Sequence, residues 1–333
     1  MKLSIIIINY KSIALILDCI RSVYEFGAEE KEIIVVDNFS GDDAENILKQ
    51  HFPAVRFLQM GYNAGFARAN NAGINMATGE LILLLNPDTV ILDNALNKCV
   101  EKFSGSGYVA CGVQLLNPDH SPQISGNYAM KGGLNYLLPL PYTGAFLKCM
   151  AGLLKVKKPN VPEAKGVVEV DWINGAFLMV KKTAIGKAGM LDEDFFLYAE
   201  EAEWCSRLKK TGKLCIYGDA NVLHLQGESS AGAFDSPGKG YSNLFDRKGL
   251  QIIVSNMVRI RKEFGVGWFL FDLFFYLITI PVFLTGLIFS GLAFWSRSRY
   301  SFKQWAVYVK NMIILGKLSG RIIKNRPYFY KVL

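Results

Sequence analysis

The sequence of 333 residues lacks the cysteine patterns of a disulfide framework or a zinc site. Its six cysteines are scattered, with no CxxC pair and no histidine at the spacing of a second metal ligand. Reduced thiols, and hence a cytosolic compartment, are expected. The apolar run before Asn9 is too short for a signal peptide, so it is predicted to form the first strand.

A dinucleotide-binding motif is also missing. No GxGxxG follows the first predicted strand, which disfavours a nicotinamide or flavin dinucleotide. The net charge of +8 is compatible with nucleic acid, phosphorylated ligands or an anionic membrane surface as partner. The hydrophobic fraction, 51%, is high for a soluble protein, and the apolar excess lies late in the chain.

The first part of the chain alternates short apolar runs with helical periodicity. Strands are predicted at Ser4–Ile8, Glu32–Val36 and Val55–Leu58, and apolar residues at helical spacing lie between them. Two further short strands are predicted later in the chain, at Leu214–Tyr217 and Ala220–Leu223. Alternating strands and helices predict an α/β fold with a Rossmann-like, mainly parallel sheet flanked by helices.

The segment Gly79–Val90 combines an apolar strand with polar residues at its end. The unbroken run Leu81–Leu85 is typical of a strand buried on both faces. Pro87 cannot donate to a ladder, so the strand is expected to stop and leave Asn86 and Asp88 beyond its carboxyl end, where open α/β sheets bind ligands. A carboxylate there suits a divalent cation that holds a diphosphate, while an ordinary turn is the alternative.

Asp37 ends the second strand as Asp88 ends a later one. Its side chain either accepts hydrogen bonds from a base or a ribose, or caps the following turn. Between the two lies Gly61–Ala77, in which four Asn and three Gly residues make a poor helix on propensity alone. Arg68 in this segment is placed to reach a phosphate from the first turn of a helix.

Four motifs, SIIIINYKS, VVDNFSGD, NAGFARANNAGI and ELILLLNPDTV, follow one another along the chain. In order and spacing they resemble the family 2 glycosyltransferases, in particular the rhamnosyltransferase-like, non-processive branch that assembles cell-surface polysaccharides. The resemblance covers about residues 3–230. It implies a GT-A fold, a nucleotide-sugar donor, a divalent cation (Mg²⁺ or Mn²⁺) and inversion at the anomeric carbon.

This resemblance also implies roles for individual residues. Asp37 would contact the nucleobase, and Asn86-Pro87-Asp88 would stand for the family's Asp-x-Asp motif with Asp88 as metal ligand. Asn86 replaces the first Asp, which leaves it a weak ligand or a sugar contact and the site one charge short. His224 would lie near the diphosphate or the metal, although packing or capping is its alternative role. The implied donor contacts are Asn9, Asp37, Asn38, Asn63, Gly65, Phe66, Arg68, Asn70, Asn71, Asn86, Trp172, Asn174 and Gly175.

The segment from Val168 onward runs beside the donor sugar and the acceptor in the family. Trp172 either offers an apolar face to a sugar ring or is a core residue with its N–H satisfied. In LDEDFFLYAEEAEWCSRLKK acids precede bases, as the dipole of a helix starting near Tyr198 favours. The same stretch resembles the family's Glu-Asp motif, whose second acid is the general base. That position is Glu201, with Glu200 as the alternative.

The C-terminal third is more apolar than the rest. Asn243–Lys262 is predicted as a basic amphipathic helix, and Leu273–Trp295 runs 23 residues without a charge, long enough to span a bilayer. Basic residues flank both ends, so a single span would carry one cluster across against the positive-inside tendency. A bent, re-entrant hairpin is therefore favoured, with a buried helix pair as the alternative. Leu134–Val156, apolar without a clear period, is expected to be a lid or a membrane-contacting loop.

Taken together, the chain is predicted to hold a GT-A catalytic domain over residues 1–235 and a helical, basic, membrane-associated region over residues 236–333, at the cytoplasmic face of the cell membrane. It is expected to move one sugar from a nucleotide-diphosphate donor, such as dTDP-rhamnose or a UDP-sugar, to a glycan or lipid-linked acceptor, since no QxxRW-like segment follows the acidic motif. The basic residues are then expected to bind the diphosphate and the membrane, and no nucleic acid is expected as a partner. The alternatives are a catalytically silent scaffold of a polysaccharide assembly complex and a nucleotidyltransferase, which would need a Gly-rich basic loop after the first strand.

Overall fold

The computed structural model of the chain describes residues 2–27, 30–129, 134–156, 159–225, 243–292 and 299–332. Its Cα positions divide into two compact units. Unit 1 comprises Met1–Ala129, Pro159–Phe196 and Glu200–Asp235, and unit 2 comprises Met130–Lys158, Leu197–Ala199 and Ser236–Leu333. Unit 2 therefore includes two segments that the sequence placed in the catalytic domain.

Strands and helices alternate through most of the chain, and the described part after residue 243 is helical. The strands are β1 (Leu3–Asn9), β2 (Lys31–Asp37), β3 (Arg56–Gln59), β4 (Leu81–Leu85), β5 (Thr89–Ile91), β6 (Ala110–Leu116), β7 (Gly126–Asn127), β8 (Asn160–Val161), β9 (Val167–Val170), β10 (Trp172–Ile173), β11 (Phe177–Lys181) and β12 (Leu214–His224). The helices are α1 (Ile13–Phe26), α2 (Ala44–His51), α3 (Gly65–Met76), α4 (Ala95–Ser104), α5 (Thr143–Leu153), α6 (Lys182–Ala188), α7 (Glu200–Lys209), α8 (Arg247–Phe264), α9 (Val266–Leu292) and α10 (Phe302–Lys324). A 3₁₀ turn, Leu134–Leu137, precedes α5.

The main sheet of unit 1 has nine strands among the described residues, in the order β3-β2-β1-β4-β11-β6-β12-β5, with β9 along β12. Strands β3, β2, β1 and β4 run parallel, and β12 runs parallel to β6. Strand β11 is antiparallel to both of its neighbours. The predicted α/β class with a mainly parallel sheet is therefore confirmed. A small antiparallel sheet joins β10, β7 and β8.

The unbroken apolar strands supply two hydrophobic cores, one on each face of the sheet. In β1, Ile5 and Ile7 belong to the core that includes α1 and α4, whereas Ile6 and Ile8 belong to the core that includes α3 and α7. Successive side chains of a strand point to opposite faces, so a strand between two helical layers needs apolar residues at every position. Each fully buried aliphatic side chain contributes about 1.5–3 kcal/mol. The run Leu81–Leu85 is likewise buried throughout.

One prediction of local structure in unit 1 is corrected, and one helix forms despite its low propensity. The separate strands predicted at Leu214–Tyr217 and Ala220–Leu223 form the single strand β12, with an irregularity in register between Tyr217 and Asn221. Gly61–Ala77, judged a poor helix on propensity, contains the 12-residue helix α3. Tertiary contacts override propensity there, because the buried glycine Gly73 brings the helix against β1.

Unit 2 also departs from the sequence-based expectation. Leu134–Val156, expected as a loop, is largely helical. The predicted basic amphipathic helix is confirmed as α8, whose first turn is capped by the Asp246 carboxylate accepting from the Gly249 N–H. The predicted hairpin within Leu273–Trp295 is wrong for the described residues, since α9 continues through Pro281 as far as Leu292. One helix among the described residues is long and apolar enough to cross a membrane.

The packing of Gly73 against β1 is open to a direct test. A Cβ at Gly73 would sit 2.5 Å from the Ile6 Cγ2 atom, so Gly73→Ala should lower the free energy of unfolding by about 1–3 kcal/mol through overpacking. Gly186→Ala in α6 meets no atom within 4 Å and should raise it by up to about 1 kcal/mol through helix propensity. Urea unfolding followed by circular dichroism measures both changes. Equal effects at the two sites would contradict the packing argument.

Candidate active site

The ends of β1 and β2 hold the first group of predicted site residues. Asn9 and Asp37 are paired across the parallel ladder, and the Asn9 side-chain amide donates to Asp37 Oδ1 at 2.7 Å. The other Asp37 oxygen accepts from the Ser40 N–H at 3.1 Å, so this carboxylate does cap the turn after β2. Asp42, which the sequence did not single out, lies 3.3 Å from the Asn9 amide nitrogen and brings a second carboxylate to this strand end.

Asn38 and Asn63 connect this strand end to the start of α3. The Asn38 side-chain amide donates to Asn63 Oδ1 at 3.1 Å, and its own oxygen accepts from the Ala64 N–H at 2.8 Å. Gly65 follows with a φ of +75°, a left-handed conformation that glycine adopts without steric strain. A Cβ there would lie 2.2 Å from the Phe196 carbonyl oxygen, which accepts from the Phe66 N–H at 2.8 Å. Gly65 therefore allows α3 to begin in direct contact with Phe196.

Two further residues of α3, Asn71 and Arg68, hold a neighbouring loop, and a third, Asn70, bonds within the helix. The Asn71 side chain donates to the Leu191 carbonyl at 2.9 Å and accepts from the Leu191 N–H at 3.0 Å. Arg68 donates to the Glu193 carbonyl at 3.1 Å, and Asn70 to the Phe66 carbonyl one turn earlier. These contacts place the segment around Leu191 and Glu193. A donor-binding role for the three side chains stays a prediction.

Asp88 and His224 meet at the other predicted ligand position. His224 Nε2 lies 3.6 Å from Asp88 Oδ1, and both side chains are buried. Gln123, which the sequence did not identify, joins His224 twice: its Oε1 lies 3.0 Å from Nδ1, and its amide donates to the His224 carbonyl at 2.7 Å. Burial lowers the pKa of His224, against a smaller opposing effect of the Asp88 charge. A neutral imidazole, the form that binds metals, is thereby favoured.

The side chains at this position could supply some, but not all, of the ligands of a divalent cation. A carboxylate oxygen and an imidazole nitrogen are both ligands of divalent metals such as Mn²⁺. Within the described ranges, no three or more His, Cys, Asp or Glu side chains group so as to hold a metal by themselves. Asp88 and His224 would therefore leave several coordination positions for oxygens of a ligand.

The acid pair begins α7, directly after two residues with left-handed backbone. Tyr198 and Ala199 have φ of +73° and +70°, an uncommon conformation for residues other than glycine. Glu200 is buried, and its Oε2 atom has no hydrogen-bond partner among the described residues. Burial, and then the Glu201 charge, raise the pKa of Glu200 well above its ordinary value. Glu201 is only partly buried, so it is the acid of the pair that solvent reaches.

Residues 174–176 link this acid pair to the end of β4. A Cβ added at Gly175 would lie 3.3 Å from Glu201 Cγ, so the turn and the acid are in close contact. The next residue, Ala176, accepts from the Asn86 N–H at 3.0 Å. Asn174 is held by its N–H donating to the Ser125 carbonyl at 2.9 Å. The structure thus brings Asn86, Gly175 and Glu201 together, as their common site assignment requires.

Trp172 lies on β10, shortly before this turn. Its ring packs against the core on the α3 and α7 face of the sheet. Its Nε1 atom is buried and has no hydrogen-bond partner among the described residues. Trp172 therefore packs as a core residue, but its N–H lacks the hydrogen bond that the core role predicts.

The chain has a GT-A-like fold. The mannosyltransferase PcManGT from Pyrobaculum calidifontis, solved with GDP-Man and Mn²⁺, is similar with a TM-score of 0.54 at 15% identity, covering 97% of this chain and 83% of that one. GalNAc-T7, solved with UDP, GalNAc and Mn²⁺, is similar with a TM-score of 0.50 at 15% identity, covering 67% of this chain and 43% of that one. At such identities these likenesses establish the fold alone.

The sequence is similar to one protein family over part of its length. Residues 4–153 match the family described as glycosyl transferase family 2. The low-salt glycan biosynthesis hexosyltransferase Agl10 of Haloferax volcanii is 28% identical over 213 residues, 62% of each chain. The N-acetylglucosaminyl-diphospho-decaprenol L-rhamnosyltransferase of Mycobacterium tuberculosis is 27% identical over 222 residues, 60% of this chain and 67% of that one. Rhamnosyltransferase WbbL of Escherichia coli is 26% identical over 205 residues, 59% and 73% of the two chains. These likenesses to family 2 glycosyltransferases cover only part of the chain.

The buried state of Glu200 predicts a specific dependence of stability on pH. Because its pKa is raised by folding, the folded protein keeps a proton that the unfolded chain releases above about pH 4.5, and wild-type stability falls as the pH rises from there. Glu200→Gln cannot ionise, so its free energy of unfolding relative to wild type should increase across the same range. Denaturant titrations at pH 4.5, 6, 7 and 8 measure the difference.

Glu203→Gln is the matched control for this experiment. Glu203 makes two 2.7 Å contacts with Arg207, and their loss should destabilise the protein at neutral pH by about 1–3 kcal/mol. A difference between Glu200→Gln and wild type that stays constant from pH 4.5 to 8 would mean that Glu200 is ionised in the folded protein.

Proposed function

We propose that this protein is an inverting, metal-dependent glycosyltransferase that moves one sugar from a nucleotide-diphosphate donor to a lipid-linked glycan acceptor. The observation that carries the proposal is the chain of contacts from Glu201 through Gly175, Ala176 and Asn86 to the strand end that bears Asp88. A group able to take a proton and a group able to hold a cation are thereby joined through the turn before β11.

The donor side of the proposal rests on the strand ends. Asp37, Asn9 and Asn38 lie at the carboxyl ends of β1 and β2, the usual ligand edge of an open α/β sheet, and would bind the nucleoside. Asp88 and His224 would hold Mg²⁺ or Mn²⁺. Such a cation offsets the negative charge that develops on the departing diphosphate.

The acceptor side rests on the acid pair. Inversion by direct displacement needs one base to take the proton of the acceptor hydroxyl as its oxygen attacks the anomeric carbon. Glu201 serves as this base because it is the acid that solvent reaches, while Glu200 stays protonated in its buried position. The absence of a side chain on Gly175 leaves room beside the Glu201 carboxylate.

The names of the relatives support the substrate classes that we propose. Those in Mycobacterium tuberculosis and Escherichia coli are named as rhamnosyltransferases, and the Mycobacterium tuberculosis name gives a diphospho-decaprenol acceptor. A Campylobacter jejuni relative, 31% identical over 111 residues, is named for a diphospho-undecaprenol acceptor. We therefore propose dTDP-rhamnose or a UDP-sugar as donor and a polyprenyl-diphosphate-linked glycan as acceptor, used at the cytoplasmic face of the membrane in surface polysaccharide assembly. Hydrolysis assays with a panel of nucleotide sugars test the donor, and a silent scaffold would hydrolyse none of them.

The metal site predicts the effect of changing Asp88. Asp88→Asn should weaken Mn²⁺-dependent binding of nucleoside diphosphate at least tenfold, because the carboxylate ligand is lost. Titration calorimetry with and without Mn²⁺ measures the change. Asp93→Asn makes the same chemical change at an exposed position and should bind as wild type does. Unchanged, Mn²⁺-dependent binding by Asp88→Asn would remove Asp88 from the metal site.

The base assignment predicts a separation of binding from transfer. Glu201→Gln should keep donor binding and lose transfer by about two to four orders of magnitude, the usual contribution of general base catalysis. Single-turnover transfer with calorimetry of donor binding measures both. Glu200→Gln should lose much less, since the buried acid is already neutral. An inactive Glu200→Gln beside an active Glu201→Gln would reverse the two roles.

A further inference from the structure

Helix α9 in unit 2 has one buried and one exposed apolar face. The span Val266–Ser290 has a mean hydropathy of 2.1, yet only 22% of its most apolar window is buried. One side packs into unit 2 along the whole length, through Phe269, Asp272, Tyr276, Thr279, Phe283 and Leu287. The opposite side exposes Leu270, Phe274, Leu277, Ile278, Ile288 and Phe289. Such an exposed apolar stripe marks an interaction surface.

The buried side of α9 stays attached to polar structure far along the helix. The Tyr276 hydroxyl donates to the Tyr136 carbonyl at 3.0 Å, and the Phe283 ring lies 5.7 Å from the Phe245 ring. Phe245 is followed directly by the charged residues 246–248. Phe283 is about 26 Å along the helix from Val266, at 1.5 Å per residue. A bilayer span needs about 20 free residues, and α9 has far fewer beyond this contact.

Helix α10 runs antiparallel beside α9 and carries a stripe of lysines. The Trp305 Nε1–H donates to the Ile280 carbonyl at 3.1 Å, and the Tyr308 hydroxyl donates to the Tyr276 carbonyl at 2.8 Å. Every seventh residue is an exposed lysine: Lys303, Lys310, Lys317 and Lys324. At helical spacing they lie opposite the buried side, which holds Tyr308, Met312, Leu315, Ser319 and Ile322.

The charge of this region matches an anionic surface. Residues 264–333 contain nine Lys or Arg and one acid, Asp272, which is buried, so they account for the whole formal net charge of +8. The basic residues before the apolar run, which the sequence suggested would face lipid, make contacts within unit 2 instead. Arg259 pairs with Glu263 at 2.7 Å, and Arg261 donates to the Ile323 carbonyl. The exposed basic side is that of α10. If α9 crossed the bilayer, Lys310 would be carried along it toward the hydrocarbon, at a high energetic cost.

We propose that unit 2 binds the membrane in plane. The exposed apolar face of α9 lies in the boundary between headgroups and acyl chains, and the lysines of α10 bind anionic lipid headgroups through their long stems. No segment described here then crosses the bilayer. This inference deepens the membrane location given under the proposed function and rests on it, but it concerns lipid binding, which is measured without donor or acceptor.

Vesicle flotation of the full chain tests the lysine stripe. Vesicles of phosphatidylcholine with 30% phosphatidylglycerol should bind the protein, and Lys303→Gln, Lys310→Gln, Lys317→Gln and Lys324→Gln together should reduce binding roughly 100- to 1000-fold. Lys49→Gln, Lys98→Gln, Lys187→Gln and Lys210→Gln remove the same charge from exposed positions of unit 1 and should bind nearly as wild type. Equal losses in the two variants would overturn the stripe as a headgroup site.

Quenching of a fluorescent label by lipid-borne spin labels tests the orientation. Five of the six cysteines are buried, so Cys149→Ser gives a background for single cysteines at Leu270, Leu277 and Ile288. In-plane binding predicts the same shallow depth, about 5–10 Å below the headgroups, at all three. A depth that passes through the bilayer centre at Leu277 would show a spanning helix. Unquenched labels with concentration-dependent dimers in ultracentrifugation would show that a second copy covers α9. Either result overturns the proposal, while intact vesicle binding without sugar transfer would count against the proposed function alone.

Discussion

The burial of the central strands on both faces decides where this protein can place polar chemistry. Strands β1 and β4 have no exposed face, so their polar side chains are confined to their ends. Because the strands run parallel, Asn9, Asp37 and the loop bearing Asp88 come to one edge of the sheet. The same constraint explains the side-chain hydrogen bonds found there, since buried amides and carboxylates are costly unless they are paired.

Two neighbouring acids show how burial divides roles within one turn of helix. Glu200 and Glu201 are adjacent in sequence, but a helix turns by about 100° per residue and sends their side chains in different directions. The Glu200 side chain is buried, and one of its oxygens has no hydrogen-bond partner among the described residues. Burial favours the protonated form of this acid. Glu201 faces the turn at Gly175 and keeps access to solvent. A buried acid beside one that solvent reaches is an arrangement typical of acid–base sites.

In unit 2 the distribution of apolar residues suits contact with lipid as well as with protein. Helix α9 is apolar on every side, yet only one side is covered by protein along the described chain. The uncovered side is mainly apolar, and the hydroxyl of its exposed Thr285 donates to backbone carbonyls of the helix itself, so a lipid boundary suits this side better than solvent. The hydrogen bonds from Trp305 and Tyr308 to backbone carbonyls of α9 bind the two helices into one structure.

The sequence by itself determined the alternation of strands and helices in the first part of the chain, the buried character of Leu81–Leu85 and the motifs, because these depend on local apolar runs and turn residues. It did not reveal that Asn71 forms hydrogen bonds with the Leu191 backbone, that Gln123 contacts the His224 ring, or that α9 continues past Pro281. Each of these is a contact between segments far apart in the chain, or a helix supported by such contacts. Local propensity does not encode such contacts. Only the tertiary structure therefore decided which polar residues make structural hydrogen bonds and which are available to the candidate site.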